Sequence, residues 1–321
     1  MRRYKIALDV MGSDKGAEVM VRGAGAALDK NEELELLLVG DEKEIISACE
    51  SCAIPMERVE ILHADEVITN YDSPATAIFQ KTNSSLVLAL RAAAEREDIV
   101  GVVNAGSTGA LIAGSVRFLS REDRVRPALA VNFPAENGSN VCLVDAGATI
   151  DCGASTLLHF AKLGTEFMRD TYNIENPKVG LLSNGAEPTK GNKLVKEAHA
   201  MFAECKEINF IGNVEGNNAL SGICDVLVCD GFAGNQVLKV TEGTTKRIIT
   251  DIVKIAKKSG KQEYMALVGE LMALYGMDSL GGGIILGAKK PIVKAHGAAD
   301  ETAVVNTLGI VLNIAKNKEN R

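Results

Sequence analysis

The chain of 321 residues sets 35 Lys and Arg against 42 Asp and Glu, and a formal charge of −7 argues against nucleic acid as a main partner, because phosphate-backbone binding relies on a dominant basic surface. With 46% apolar and 24% charged residues, no Trp and few prolines, the composition is that of a globular protein with a large core, and disorder is expected only over Lys316–Arg321. Met1 to Ile6 leads straight into a strand-like segment with no secretory apolar stretch, and no run of about 20 apolar residues follows, so a cytoplasmic protein is expected.

In chain order, a strand is predicted at Lys5–Val10, a helix at Gly16–Leu28, strands at Glu35–Val39 and Val59–Leu62, a helix at Ser84–Arg96, a strand at Ile99–Val103 and a helix at Ser107–Leu119. Strands at Ala128–Asn132 and Val141–Val144 come next, then a helix at Ala154–Arg169, a strand at Lys178–Leu182 and a helix at Lys193–Glu204. The pattern closes with strands at Ile208–Ile211 and Asp225–Cys229, a helix at Asn235–Lys257, a strand at Pro291–Lys294 and a helix at Asp300–Ala315. Such alternation predicts an α/β fold with a mainly parallel, doubly wound sheet. No linker or repeat divides it, so residues 1–321 are expected to act as a single catalytic unit with an amphipathic helical excursion at about 243–280. There Lys246, Arg247, Lys254, Lys257, Lys258 and Lys261 accompany Ile248, Ile249, Ile252, Val253 and Ile255, ahead of the nearly uncharged run Tyr264–Met277. The run is too short to span a bilayer; it reads as a buried or dimer-interface helix, or as a surface that meets a membrane or an acidic partner.

Apolar runs repeatedly end in glycine-rich polar turns, at 9–14, 104–109, 145–148, 183–185 and 230–235. Glycine lets backbone approach a ligand closely, and a following helix offers unpaired N–H groups to an anion. In open α/β sheets ligands gather at the carboxyl ends of strands, where these turns fall. Ser107 opens an apolar helix and is placed as an N-cap or anion-binding hydroxyl within Asn104, Gly106, Thr108 and Gly109. The turn from Ser183 and Asn184 to Lys190 lacks the Gly-Lys-Ser/Thr ending of a Walker A loop, so ATP is not implied; Lys190 can hold an anion or simply be solvated. Lys294 and His296 close a strand before a helix, where a histidine can donate a hydrogen bond or exchange a proton. Seven cysteines without framework spacing read as reduced thiols, and the Cys49–Cys52 pair lacks the second pair of a metal site. No nucleophile elbow, zincin motif, calcium loop or dinucleotide fingerprint is present, so neither a covalent nucleophile nor a metal or other cofactor is expected.

Taken together, the strings Val179–Gly185 with Lys190–Asn192, Phe210–Gly216, Asp230–Asn235 and Lys294–Gly297, in this order and spacing, resemble the bacterial acyl-ACP:phosphate acyltransferase family, the PlsX proteins of phospholipid synthesis. The resemblance runs from Asp9 to Asp300, with departures at Gly12–Lys15, Thr149 and Ala298–Ala299. It implies a three-layer αβα fold similar to phosphotransacetylase and isocitrate-dehydrogenase-like proteins, a homodimer, and transfer of a long acyl chain from acyl carrier protein to inorganic phosphate, the product feeding a membrane glycerol-3-phosphate acyltransferase. Phosphate is already a competent oxygen nucleophile and a thiolate leaves readily, which accounts for the missing triad. On this expectation Asn104, Gly106, Ser107, Thr108, Gly109 and Asn184 bind phosphate, Lys190 and Lys294 supply charge, and Asn235 and His296 donate to the oxyanion or leaving sulfur. Asp230 orients a neighbour, and Asp9 stands at the phosphate site. A short-chain phosphotransacetylase using acyl-CoA, an NAD-dependent hydroxyacid dehydrogenase and a non-enzymatic membrane-surface scaffold remain the competing readings.

Overall fold

The structure is a computed structural model that describes residues 2–121, 126–275 and 282–319. In chain order it contains β1 (Tyr4–Asp9), α1 (Ala17–Lys30), β2 (Leu34–Gly40), α2 (Glu42–Ser51), β3 (Val59–His63), α3 (Pro74–Gln80), α4 (Ser85–Glu95), β4 (Ile99–Asn104) and α5 (Thr108–Phe118). Next come β5 (Ala128–Pro134), β6 (Asn140–Val144), α6 (Ala154–Tyr172), β7 (Lys178–Ser183), α7 (Lys193–Glu204), β8 (Asn209–Glu215), β9 (Val226–Val228), α8 (Gly231–Ser259) and α9 (Gln262–Tyr275). The chain then runs through β10 (Gly283–Leu286), β11 (Ile292–Lys294) and α10 (Glu301–Glu319).

Two compact units result, residues 1–127 with 281–321, and residues 128–280. In the first, the strand order is β3-β2-β1-β4-β11-β10, parallel except that β10 runs against β11. β1 and β4 are buried along nearly their whole length, as parallel strands covered on both faces must be, and their Ile6, Leu8, Val102 and Val103 are fully sealed. Helix α1 packs on α2 and α10, while α5 packs on α3 and α4. In the second unit the order is β5-β6-β9-β7-β8, parallel except for β5 against β6. Its core gathers Leu143, Phe160, Leu181, Phe202 and Val226.

The mainly parallel α/β architecture is the one the alternation of runs predicts. Four elements have no place in the predicted series: α2; α3, which begins on Pro74; α9 as a separate helix; and β10, which begins on the last residue of the trio Gly281-Gly282-Gly283. Helix α8 begins at Gly231 rather than Asn235, because Asp230 caps it and draws the glycines into its first turn. The predicted excursion at 243–280 corresponds to α8 and α9 as far as Tyr275. Its residues 276–280, Gly281 of the glycine trio and residues 320–321 of the expected flexible end lie outside the described residues. No helix among the described residues is long and apolar enough to cross a membrane. All seven cysteines are reduced.

Candidate functional site

In the first unit, three adjacent parallel strands end in register: Asp9 of β1 and Lys294 of β11 both lie opposite Asn104 of β4. All three side chains are buried. Asn104 Nδ2 donates to Asp9 Oδ2 at 2.7 Å, and Asn104 Oδ1 accepts the Gly106 N–H at 2.9 Å. Asp9 Oδ1 takes the Met11 N–H at 3.1 Å. Burial pushes the Asp9 carboxyl above its ordinary value, against the lowering effect of these hydrogen bonds. The Lys294 ammonium donates to the carbonyls of Ala105, at 3.1 Å, and Ala295. Asp9, Asn104 and Lys294 therefore sit beneath the 104–109 turn and hold it in place. Gly12 lets the loop after β1 lie against this turn, since a Cβ there would come within 2.7 Å of the Gly106 Cα.

Above this base, Ser107 caps α5 by accepting the Ala110 N–H, and Thr108 and Gly109 form the helix's first turn, half-buried. First-turn N–H groups of a helix have no intrahelical acceptor, so this end is suited to an anion. His296 follows β11 on the surface, and its Nδ1 accepts the Ala298 N–H at 3.2 Å. The neutral ring consequently carries its proton on Nε2, the nitrogen left to donate. The loop bearing it is tied to the loop after β1, since the Asp14 N–H donates to the Gly297 carbonyl at 2.9 Å.

In the second unit, Asp230 accepts the Ala233 N–H at 2.8 Å as N-cap of α8, and the Gly231 N–H donates to the Thr149 carbonyl at 2.8 Å. The loop so joined is organised by Asp145, fully buried, whose carboxylate accepts the N–H groups of Leu129, Gly147, Ala148 and Thr149 at 2.6–3.1 Å. Burial raises the Asp145 carboxyl and those four bonds pull it back. A Cβ on Gly234 would lie 1.9 Å from the Asp145 carbonyl oxygen, so the helix can approach the loop only with glycine there. Asn235 is half-buried, and a Cβ on Gly147 would stand 3.6 Å from its side chain. After β7, Asn184 Oδ1 accepts the Gly191 N–H at 2.8 Å, closing a loop on which Lys190 is exposed.

The expected residues thus fall into three local groups: Asp9, Asn104, Gly106–Gly109, Lys294 and His296 in the first unit, and, within the second, Asp230 with Asn235 and Asn184 with Lys190. Sequence reasoning passed over Asp145 and Asn213. Both lie inside strings already noted, but nothing in a sequence distinguishes a carboxylate or amide turned inward to hold its own loop from one facing solvent. Among the described residues, no group of three or more His, Cys, Asp or Glu could hold a metal ion.

The family described as Fatty acid synthesis protein matches residues 4–319. A phosphate acyltransferase of Lacticaseibacillus casei is 40% identical over 311 residues, covering 95% of this chain and 90% of that protein. One from Halothermothrix orenii is 38% identical over 315 residues, covering 95% and 93%. Among solved structures, a branched-chain phosphotransacylase from Enterococcus faecalis superimposes with a TM-score of 0.63 at 16% identity, over 97% of this chain and 99% of that one. A phosphotransacetylase from Staphylococcus aureus gives 0.61 at 16% identity, over 98% and 94%. At such identities the likeness is one of fold, and it agrees with the architecture that the resemblance implies.

Proposed function

We propose, from the premise that this chain belongs to the fatty acid synthesis protein family of phosphate acyltransferases, that it transfers a long-chain acyl group from acyl carrier protein to inorganic phosphate. A phosphate oxygen attacks the thioester carbonyl, a tetrahedral oxyanion forms, and the carbon–sulfur bond breaks to release the carrier's thiol and an acyl phosphate. The protein's task is to bring two partners together, stabilise the oxyanion and keep water from a hydrolysable product.

The observation that carries this reading is the 104–109 turn: its support is built from buried Asp9, Asn104 and Lys294, so a helix N-terminus is fixed before any anion arrives. In this reading Gly106, Ser107, Thr108 and Gly109 cradle phosphate, with Asp9 and Asn104 as supports and Lys294 as buried charge. Asn184 shapes the loop from which Lys190 supplies a mobile charge. Asn235 and His296, the latter through Nε2, donate to the oxyanion or leaving sulfur, and Asp230 orients the start of α8. Residues of both units have roles, so the whole chain is read as one catalytic unit, working as a homodimer and needing no cofactor.

Acyl carrier protein is acidic, and the exposed cations of α8, Lys246, Lys257 and Lys258, with Lys261 beyond it, offer a local docking surface on an acidic protein. Exposed Ile248 and Ile255 on α8, with Met265, Leu267 and Met272 on α9, suit transient contact with a bilayer, where a membrane glycerol-3-phosphate acyltransferase would take up the product. Thiol release from palmitoyl-ACP, measured with and without phosphate and with hydroxylamine trapping, tests the reaction: phosphate-dependent release with a trapped acyl hydroxamate supports it. Release from short-chain acyl-CoA in preference to palmitoyl-ACP would instead favour a phosphotransacetylase, the second reading, which the phosphotransacylase-like fold supports.

A further inference from the structure

Asn213 and His199 have no part in the reading above, yet they form a continuous polar chain to the loop that bears Lys190. Asn213 lies within β8, opposite Leu181 of β7, and is buried. An amide at such a position is costly unless both its ends are bonded. They are. Its Nδ2 donates to the Glu187 carbonyl at 2.9 Å, which orients the amide and leaves Oδ1 as an acceptor 3.0 Å from His199 Nδ1. His199 Nδ1 must therefore carry the proton and donate. The imidazole is itself held by Phe210, edge-on at 5.1 Å, and Phe210 packs in the same manner on Phe202 at 5.2 Å.

The Glu187 carbonyl that receives the Asn213 amide also receives the Lys190 backbone N–H, at 3.0 Å. Lys190 is thereby fixed at its own backbone. Its alkyl stem lies over Gly185, where a Cβ would stand 2.6 Å from Lys190 Cγ. At the other side of the loop, Asn184 Oδ1 holds the Gly191 N–H. The terminal ammonium of an exposed lysine is mobile, so the backbone from which it swings decides how much of its sweep is useful.

We infer that Asn213 and His199 are positioning residues for Lys190, fixing through the Glu187 carbonyl the backbone from which it swings. This role rests on the acyl-transfer reading. Side chains in one hydrogen-bond network couple, whereas distant ones add independently, and that difference provides the test.

The isosteric Asn213→Asp keeps the acceptor for His199 but sets an oxygen against the Glu187 carbonyl. His199→Phe removes the donor, while His199→Asn places an amide nitrogen where Nδ1 stood. In hydrogen exchange on the full chain, Asn213→Asp and His199→Phe are expected to speed exchange of the Lys190 and Gly191 amides by about tenfold, with His199→Asn near wild type. With palmitoyl-ACP and inorganic phosphate as substrates, Asn213→Asp should lower kcat/KM for phosphate by about tenfold and leave KM for palmitoyl-ACP unchanged. In a Lys190→Ala background the same substitution should cost less than about twofold.

Unchanged exchange in both disruptive variants would overturn the inference, as would equal losses with and without Lys190. His199→Phe keeps the test open if Asn213→Asp fails to fold. A wild-type protein with no phosphate-dependent thiol release would overturn the acyl-transfer reading and with it any role in turnover. The exchange result would then still decide whether Asn213 holds the loop.

Discussion

Asp9 and Asn104 act as one unit: a buried carboxylate accepts from an amide that in turn accepts the Gly106 N–H of the 104–109 turn. Asp9→Asn would set its NH2 against a donor in either orientation, the Asn104 amide or the Met11 N–H, and urea unfolding should show a loss of about 1–3 kcal/mol, the cost of leaving a buried donor unsatisfied. Lys190→Ala and His296→Ala remove exposed groups, so both should fold as wild type while turnover drops by about tenfold or more. Normal turnover in both would remove these residues from the mechanism. The surface members of the candidate site were legible in sequence, because a lysine or histidine at a strand end or in a glycine-bearing loop stands out by type. Two inward-facing supports were not: Asp145 and Asn213 are defined by the N–H groups, carbonyl and ring nitrogen that the folded chain brings to them.

At the level of elements, the amino ends of the first unit's strands are clamped by charge. Lys5 of β1, Glu60 of β3, and Arg96 and Asp98 between α4 and β4 form a linked set, with Arg96 bidentate on Glu60 and Lys5 at 3.0 Å from Glu60 and 3.1 Å from Asp98. The Arg96 guanidinium, with help from Lys5, lowers the Glu60 carboxyl to about 2. A carboxyl depressed in the folded state contributes stability above its unfolded pKa and loses it as pH falls through the folded value. Glu60→Gln should therefore unfold with a weaker pH dependence than wild type between about pH 4.5 and 2, and parallel acid-unfolding curves would count against the clamp. At α8, Asp230→Ala should cost about 1 kcal/mol in chemical denaturation and Asp230→Ser much less, since serine also caps. Long periodic helices and β-branched strands were readable because burial on a fixed period leaves a pattern. Helix α3 and strand β10 were not, being short and flanked by a proline or glycines that, in a sequence alone, signal a turn.

For the whole molecule, two acidic proteins must meet if acyl carrier protein is the donor, and the meeting depends on a few exposed lysines. Part of the α8 basic row is already engaged, because Asp251 pairs with Arg247 at 2.6 Å and with Lys254 at 3.5 Å. Raising ionic strength should increase KM for acyl-ACP more than KM for phosphate, and equal sensitivity would move the docking face elsewhere. The division of the first unit between residues 1–127 and 281–321 has a consequence for synthesis. Strand β4 pairs with β11, and α1 packs on α10, so neither finds its partner until the ribosome has added well over a hundred intervening residues. Through that interval the nascent chain carries an open strand edge and an uncovered helix face, the surfaces that chaperones bind and aggregates grow from. Strands β6, β7, β8 and β9 have no such wait, for each pairs only with strands of residues 128–280. These four strands should thus be paired on the ribosome while the unit whose two segments flank them in sequence is still half-made.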